Sequence, residues 1–144
     1  MSSADFHLGP VDVVVFGFPP DAPRTGSAIP LFVDLVERGI IRVLDVLMVE
    51  KGADGTVAGV EITEHEGFEE LTVFSGARSG LLVDEDATAA GEALEPGSAA
   101  VLICFENTWA APFVTEVRKN GGEVLAFDRV GAQDLEDALK ALEA

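Results

Sequence analysis

Apolar positions along this chain fall twice into a strand, helix, strand order. In the first unit, Val11 to Phe18 is apolar except at Asp12 and Gly17, a run that predicts a central strand buried on both faces. Pro19-Pro20 ends it, because proline donates nothing to a ladder, and Asp21 to Gly26 reads as loop. Ile29, Phe32, Val33 and Val36 follow the i, i+3, i+4, i+7 spacing of a buried helical stripe. Ser27 is placed to cap that helix, Pro30 sits in its first turn and Gly39 is its stop. Ile40 to Val49 is the second strand. In the second unit, Ala99 to Phe105 predicts a strand, Trp109 to Asn120 a helix and Glu123 to Arg129 a further strand. Pro112 and Gly121 repeat Pro30 and Gly39 at one shared offset.

Between the units, Asp54-Gly55 is a hairpin turn signal leading into a strand from Thr56 to Thr63. Leu71 to Phe74 reads as a short strand and Ser75 to Gly80 as a link. Asp84-Glu85-Asp86 brings negative charge to the start of a short helix ending near Leu94, and Glu95-Pro96-Gly97 breaks it. A last helix, Gln133 to Glu143, has Leu135, Ala138, Leu139 and Leu142 on one face. It is long enough to cover one side of the sheet or to dock on a neighbouring subunit. The repeated βαβ unit predicts one α+β domain over residues 1–144: a ferredoxin-like split βαβ sandwich, mainly antiparallel, with an added hairpin and a C-terminal helix. Both repeat helices are expected on one face of the sheet, leaving the other to a partner or to the extra helices.

Charge changes the picture of the surface. The chain has 144 residues, 48% of them hydrophobic, with 26 acids against 9 bases and a net charge of −17. An apolar interior therefore sits beneath an anionic shell. Phosphate neutralisation needs a basic patch, which argues against nucleic acid, and an anionic membrane surface is disfavoured for the same reason. Basic proteins, divalent cations and apolar ligands remain as partners, and simple solubility explains the charge without any. Residues 1–10 lack the basic and apolar regions of a signal peptide, and no stretch has the length of a membrane-spanning helix. The expectation is a cytoplasmic protein.

Chemistry-bearing residues are few. Glu106-Asn107-Thr108-Trp109 follows a strand and opens a helix, and Trp109 is the only tryptophan. Asn107 or Thr108 can cap the helix, and capping alone accounts for both; an exposed Trp109 would instead mark an interface or ligand platform. Arg24 and Thr25, in the corresponding loop of the first unit, could hold an anion before a helix start, and the two loops would meet in one pocket if their strands are neighbours. Glu106 alone, without a partner acid, is thin support for general base chemistry. His65 among Glu64 and Glu66 lacks metal-ligand spacing and reads as a solvated acidic loop. Asp45 falls on an exposed strand face by simple alternation, and Cys104, the only cysteine, reads as a small buried hydrophobe. No catalytic, metal or cofactor motif stands out.

Gly9-Pro10 with the run to Phe18, Leu35 to Gly39, Ile41 to Asp45, Leu94 to Ala99 and Glu106-Asn-Thr-Trp109 together carry a resemblance. The chain resembles, over nearly its whole length, a bacterial family of short proteins catalogued only as a domain of unknown function. That family is similar to a wider uncharacterised group with a Gly/Ala-rich apolar insert between the two halves, often described as membrane-associated. The corresponding segment here, Phe68 to Val83, is short and holds Glu69, Glu70 and Arg78, so a membrane role does not carry over. The resemblance implies no catalytic residues. The expected function is a non-enzymatic intracellular module that forms a homo-oligomer and binds a protein partner. The alternatives are a small-molecule or regulatory ligand-binding domain using Arg24, Thr25, Glu106, Asn107, Thr108 and Trp109, and, more weakly, a cofactor-independent enzyme.

Overall fold

A computed structural model describes residues 8–22, 27–60, 80–128 and 130–143. In chain order the elements are β1 (Val11–Phe18), α1 (Ile29–Glu37), β2 (Arg42–Lys51), β3 (Val57–Val60), α2 (Asp84–Glu92), β4 (Ala99–Glu106), a 3-10 turn (Thr108–Ala110), α3 (Ala111–Lys119) and α4 (Ala132–Glu143). The short strand expected at Leu71 to Phe74, most of the Ser75 to Gly80 link, and His65 with its acidic neighbours lie outside the described residues.

The two repeat helices match closely. Each has nine residues with proline in its first two positions. Each ends before a glycine at positive φ, Gly39 at 73° and Gly121 at 84°, a conformation that side chains with a Cβ rarely adopt. The cap differs from expectation: the N-cap position of α1 is Ala28, which offers no side-chain acceptor. Proline at the helix start removes one of the donors that a cap would satisfy. The hairpin forms as its turn signal implies. Gly55 has φ +87°, β2 and β3 pair antiparallel, and Asp54 Oδ1 accepts the Thr56 N–H at 3.0 Å. That bond and the Thr56 hydroxyl hold the Asp54 carboxyl below its ordinary pKa.

The sheet is four-stranded and antiparallel, in the order β1-β4-β2-β3. β1 and β2 both run antiparallel to β4, so they point the same way with β4 between them and α1 joining them. α1 covers one face, packing Ile29, Phe32, Val33 and Val36 against Val46, Met48, Val101 and Ile103. α2 covers the other, over Val49, Ala100, Leu102 and Cys104. Lys51 clamps α2 at its end, its Nζ donating to the carbonyls of Gly91 and Leu94 at 3.1 and 3.0 Å.

Four expectations are corrected. The central, doubly buried strand is β4, not β1; β1 is an edge, and Val11, Val13 and Val15 on its α2-side face are 44, 54 and 51% exposed. An apolar run records a tendency to leave water but not which element covers it. Of the expected last strand, Glu123 to Arg129, the described residues 123–128 enter no ladder and are exposed. The C-terminal helix forms but covers no side of the sheet, and none of its residues is buried. Asp45, assigned to an exposed face by alternation, is 1% exposed. A β-bulge between Val43 and Asp45 sets it opposite Cys104, and an extra residue in a strand moves every following side chain to the other face.

Candidate functional site

β4 is the central strand, and its last residue begins the most elaborate polar cluster among the described residues. Glu106 is 2% exposed. Its Oε2 accepts the Gly9 N–H at 2.7 Å, and its Oε1 faces the Arg42 guanidinium at 3.0 Å. The two contacts tie the chain before β1 and the start of β2 to the end of β4. Gly9 has no room to be another residue, because a Cβ there would run into the Asn107 carbonyl oxygen.

Asn107 extends the tie. Its Nδ2 donates to the Pro10 carbonyl at 3.0 Å and to Asp12 Oδ2 at 2.8 Å, and its Oδ1 accepts the Trp109 indole N–H at 3.3 Å. Asn107 holds the N-cap position of the 3-10 turn but makes no side-chain cap bond, so the expected capping role gives way to bracing β1. Thr108 makes no cap either; its hydroxyl is buried with no partner among the described residues. Trp109 is 58% exposed. Its backbone N–H is fixed to the Ile40 carbonyl at 3.1 Å, and its ring meets Phe127 at 6.4 Å between centroids.

The antiparallel register places Phe18 beside Ala99 and Val11 beside Glu106. β1 therefore ends at the opposite end of β4 from Glu106. Arg24 and Thr25 lie outside the described residues, and the candidate site on the page consists of Glu106, Asn107, Thr108 and Trp109.

The chemistry of this cluster is that of a brace. Both Glu106 oxygens are engaged, and Asn107 uses its donors and its acceptor within the fold. What it turns outward is the indole of Trp109 beside Phe127, an aromatic surface suited to an apolar partner. Cys104, next to this cluster on β4, is buried; burial first, then the Asp45 and Asp86 charges, push its thiol up, which keeps it protonated and unreactive.

Replacing Glu106 separates acceptor from charge. Glu106→Gln keeps an oxygen for the Gly9 N–H and is expected to cost about 1 kcal/mol, whereas Glu106→Leu strands that donor and is expected to cost about 3 kcal/mol. Arg42 is more than half exposed, so the ion pair itself adds little. Urea titration checks this; equal costs would mean that the Gly9 bond is not what Glu106 provides.

Two features escaped the sequence reading. One is an open hollow of about 370 Å³ on the outer side of α3, lined by Phe113, Glu116, Val117, Asn120 and Gly122; its signal was Phe113 and Val117, i and i+4 on that helix. The other is the half-exposed valine face of β1, which a continuous apolar run disguised as a core strand.

No helix among the described residues is long and apolar enough to cross a membrane. No curated protein and no solved structure matches the chain. The sequence profile of DUF6325, described as a family of unknown function, matches residues 7–144. With that match spanning nearly every residue, the chain belongs to the DUF6325 family.

Proposed function

We propose that this chain is a non-enzymatic intracellular module that works by self-association. The observation that carries this reading is β1: an edge strand with the composition of a core strand. Val11, Val13 and Val15 stand half exposed in one row, and Asp12 is the only charge in the strand. Edge strands are normally blunted with lysine, proline or charge against pairing with another chain. An apolar edge with a single charge is a surface suited to being covered.

The split βαβ, ferredoxin-like architecture belongs to the same proposal. It is supported by the placement of β4 between β1 and β2, with α1 joining the outer pair. The enzyme reading loses its base, since Glu106 has both oxygens engaged. The ligand reading keeps one observation, the exposed Trp109 beside Phe127.

Native mass spectrometry and sedimentation equilibrium test the proposal. The expected result is a multiple of the 15.1 kDa chain. Association is expected to tighten as salt is raised, because copies carrying −17 each repel and salt screens that repulsion while apolar contacts persist. A single-chain mass at all protein and salt concentrations would overturn it. A defined added mass on single chains would move the weight to the ligand reading.

A further inference from the structure

We infer that two copies associate by exchanging their C-terminal segments: residues 123–128 of one chain add as a strand along the edge of β1 that no described strand pairs in the other, and α4 follows to cover the exposed valines. This rests on the self-association reading and deepens it.

The first support is the repeat. α1 and α3 correspond residue for residue in length, in proline at the start and in a positive-φ glycine at the end. After α1 the chain becomes strand β2; after α3 the equivalent stretch, Glu123 to Asp128, has strand composition and no ladder. Among the described residues there is thus a strand-like segment in no ladder and, at β1, a sheet edge with no further strand beside it.

The second support is shape. Paired as a strand, Leu125 and Phe127 share one face two residues apart, the spacing of Val13 and Val15. Leu125 is 86% exposed in the single chain, and Phe127, 46% exposed, meets the ring of Trp109. α4 continues the pattern, with Leu135, Leu139 and Leu142 all exposed at the i, i+4, i+7 positions of one helical face. α2 packs on β2, β3 and β4 on the valine side of the sheet, and among the described residues no helix packs on β1 on that side.

The third support is area. The exchange covers three valines of β1, three apolar residues of the extended segment and three leucines of α4 on each copy. At on the order of 80 Å² for each such side chain, a reciprocal exchange removes about 1,400 Å² from water, inside the roughly 1,200–2,000 Å² of a specific interface. The contact is closed by two-fold symmetry: each copy gives one segment and receives one, so association stops at two. A second copy is the occupant because in the single chain residues 123–128 stand in no ladder, while the exchanged area is that of a specific interface.

The test is a pair of full-length variants, each with Cys104→Ala to remove the native thiol. One carries Val13→Cys and the other Leu125→Cys. They are co-expressed and treated with a short bis-maleimide. The exchange predicts a cross-linked species at twice the chain mass that contains one of each variant. Both positions are exposed in the single chain, and a second pair, Val15→Cys with Phe127→Cys, guards against local disturbance by either substitution. If Val13→Cys chains instead cross-link with each other and not with Leu125→Cys, β1 pairs with β1, and the exchange is overturned while self-association stands. If a chain carrying both cysteines cross-links only within itself, the segment folds back on its own edge and the exchange is overturned. Single chains by native mass would overturn both readings.

Discussion

Replacing Val13 and Val15 together by glutamate is expected to turn the assembly into single chains without unfolding them. Both side chains lie on the edge strand, half exposed, on the face that α2 leaves uncovered. In the isolated chain the exchange therefore costs little beyond strand propensity, up to about 1 kcal/mol. In the assembly the same positions are covered. Each glutamate then loses the apolar contact and carries a carboxylate out of water, a penalty of several kcal/mol. A loss of about 3 kcal/mol weakens the dissociation constant by roughly 100-fold, and added salt is not expected to restore it. Sedimentation equilibrium beside far-UV circular dichroism reads both quantities. An unchanged mass for the folded double variant would remove β1 from the interface. A variant of the opposite face provides the contrast: Phe16, also exposed, alternates away from the valine row, and Phe16→Glu is expected to disturb association less.

The second large effect is expected inside the fold, at Asp45. Its Oδ2 accepts the Leu82 N–H at 3.0 Å and its Oδ1 accepts the Val46 N–H at 3.0 Å. The first bond pins the chain that leads into α2 onto the middle of the sheet; the second satisfies a backbone donor next to the bulge. Asp45→Ala removes both acceptors at a site that water does not reach, and a buried donor left unmet costs about 1–3 kcal/mol. The expected loss of stability is about 3 kcal/mol in urea unfolding. Asp45→Asn, which retains one acceptor oxygen, is expected to lose less. The exposed Asp34, paired with Arg38 at 3.4 Å one helical turn away, is the control, since Asp34→Ala should change stability by no more than about 0.5 kcal/mol. If Asp45→Ala proved as mild as Asp34→Ala, the bulge would not depend on the buried carboxylate.

These two residues also show where sequence reasoning reached and where it stopped. Alternation assigned Asp45 to an exposed face. That inference needs an unbroken strand, and one inserted residue near Leu44 reverses it. Nothing local to the sequence announces the bulge or the distant Leu82 N–H that Asp45 accepts. Val13 and Val15 were read correctly as residues that belong out of water. The error lay in taking their own chain as what covers them.

The candidate site divides in the same way. Glu106, Asn107 and Trp109 were visible as a polar and aromatic cluster where a strand meets a helix. Their use was not. Glu106 reaches Gly9 and Arg42, and Asn107 reaches Pro10 and Asp12, all far away in sequence and brought close only by the pairing of β1 and β2 with β4. Capping, the nearest local explanation for Asn107, lost to bonds across the sheet because the start of β1 presents a carbonyl and a carboxylate within reach.

Local patterns in the chain were enough to place β1, β4, both repeat helices, the hairpin turn at Gly55, α2 and α4. Each rests on interactions within a few residues, such as helical periodicity, the fixed φ of proline and the left-handed turn of glycine. Contacts between distant segments put β4 between β1 and β2 with β1 at the end of the described sheet, buried Asp45 and Glu106, and left residues 122–128 in no ladder. Strand order is a competition among distant partners for the same backbone donors and apolar faces. A hydrophobic pattern states how much surface must be covered, and the fold of the whole chain determines which part of it is left for another molecule.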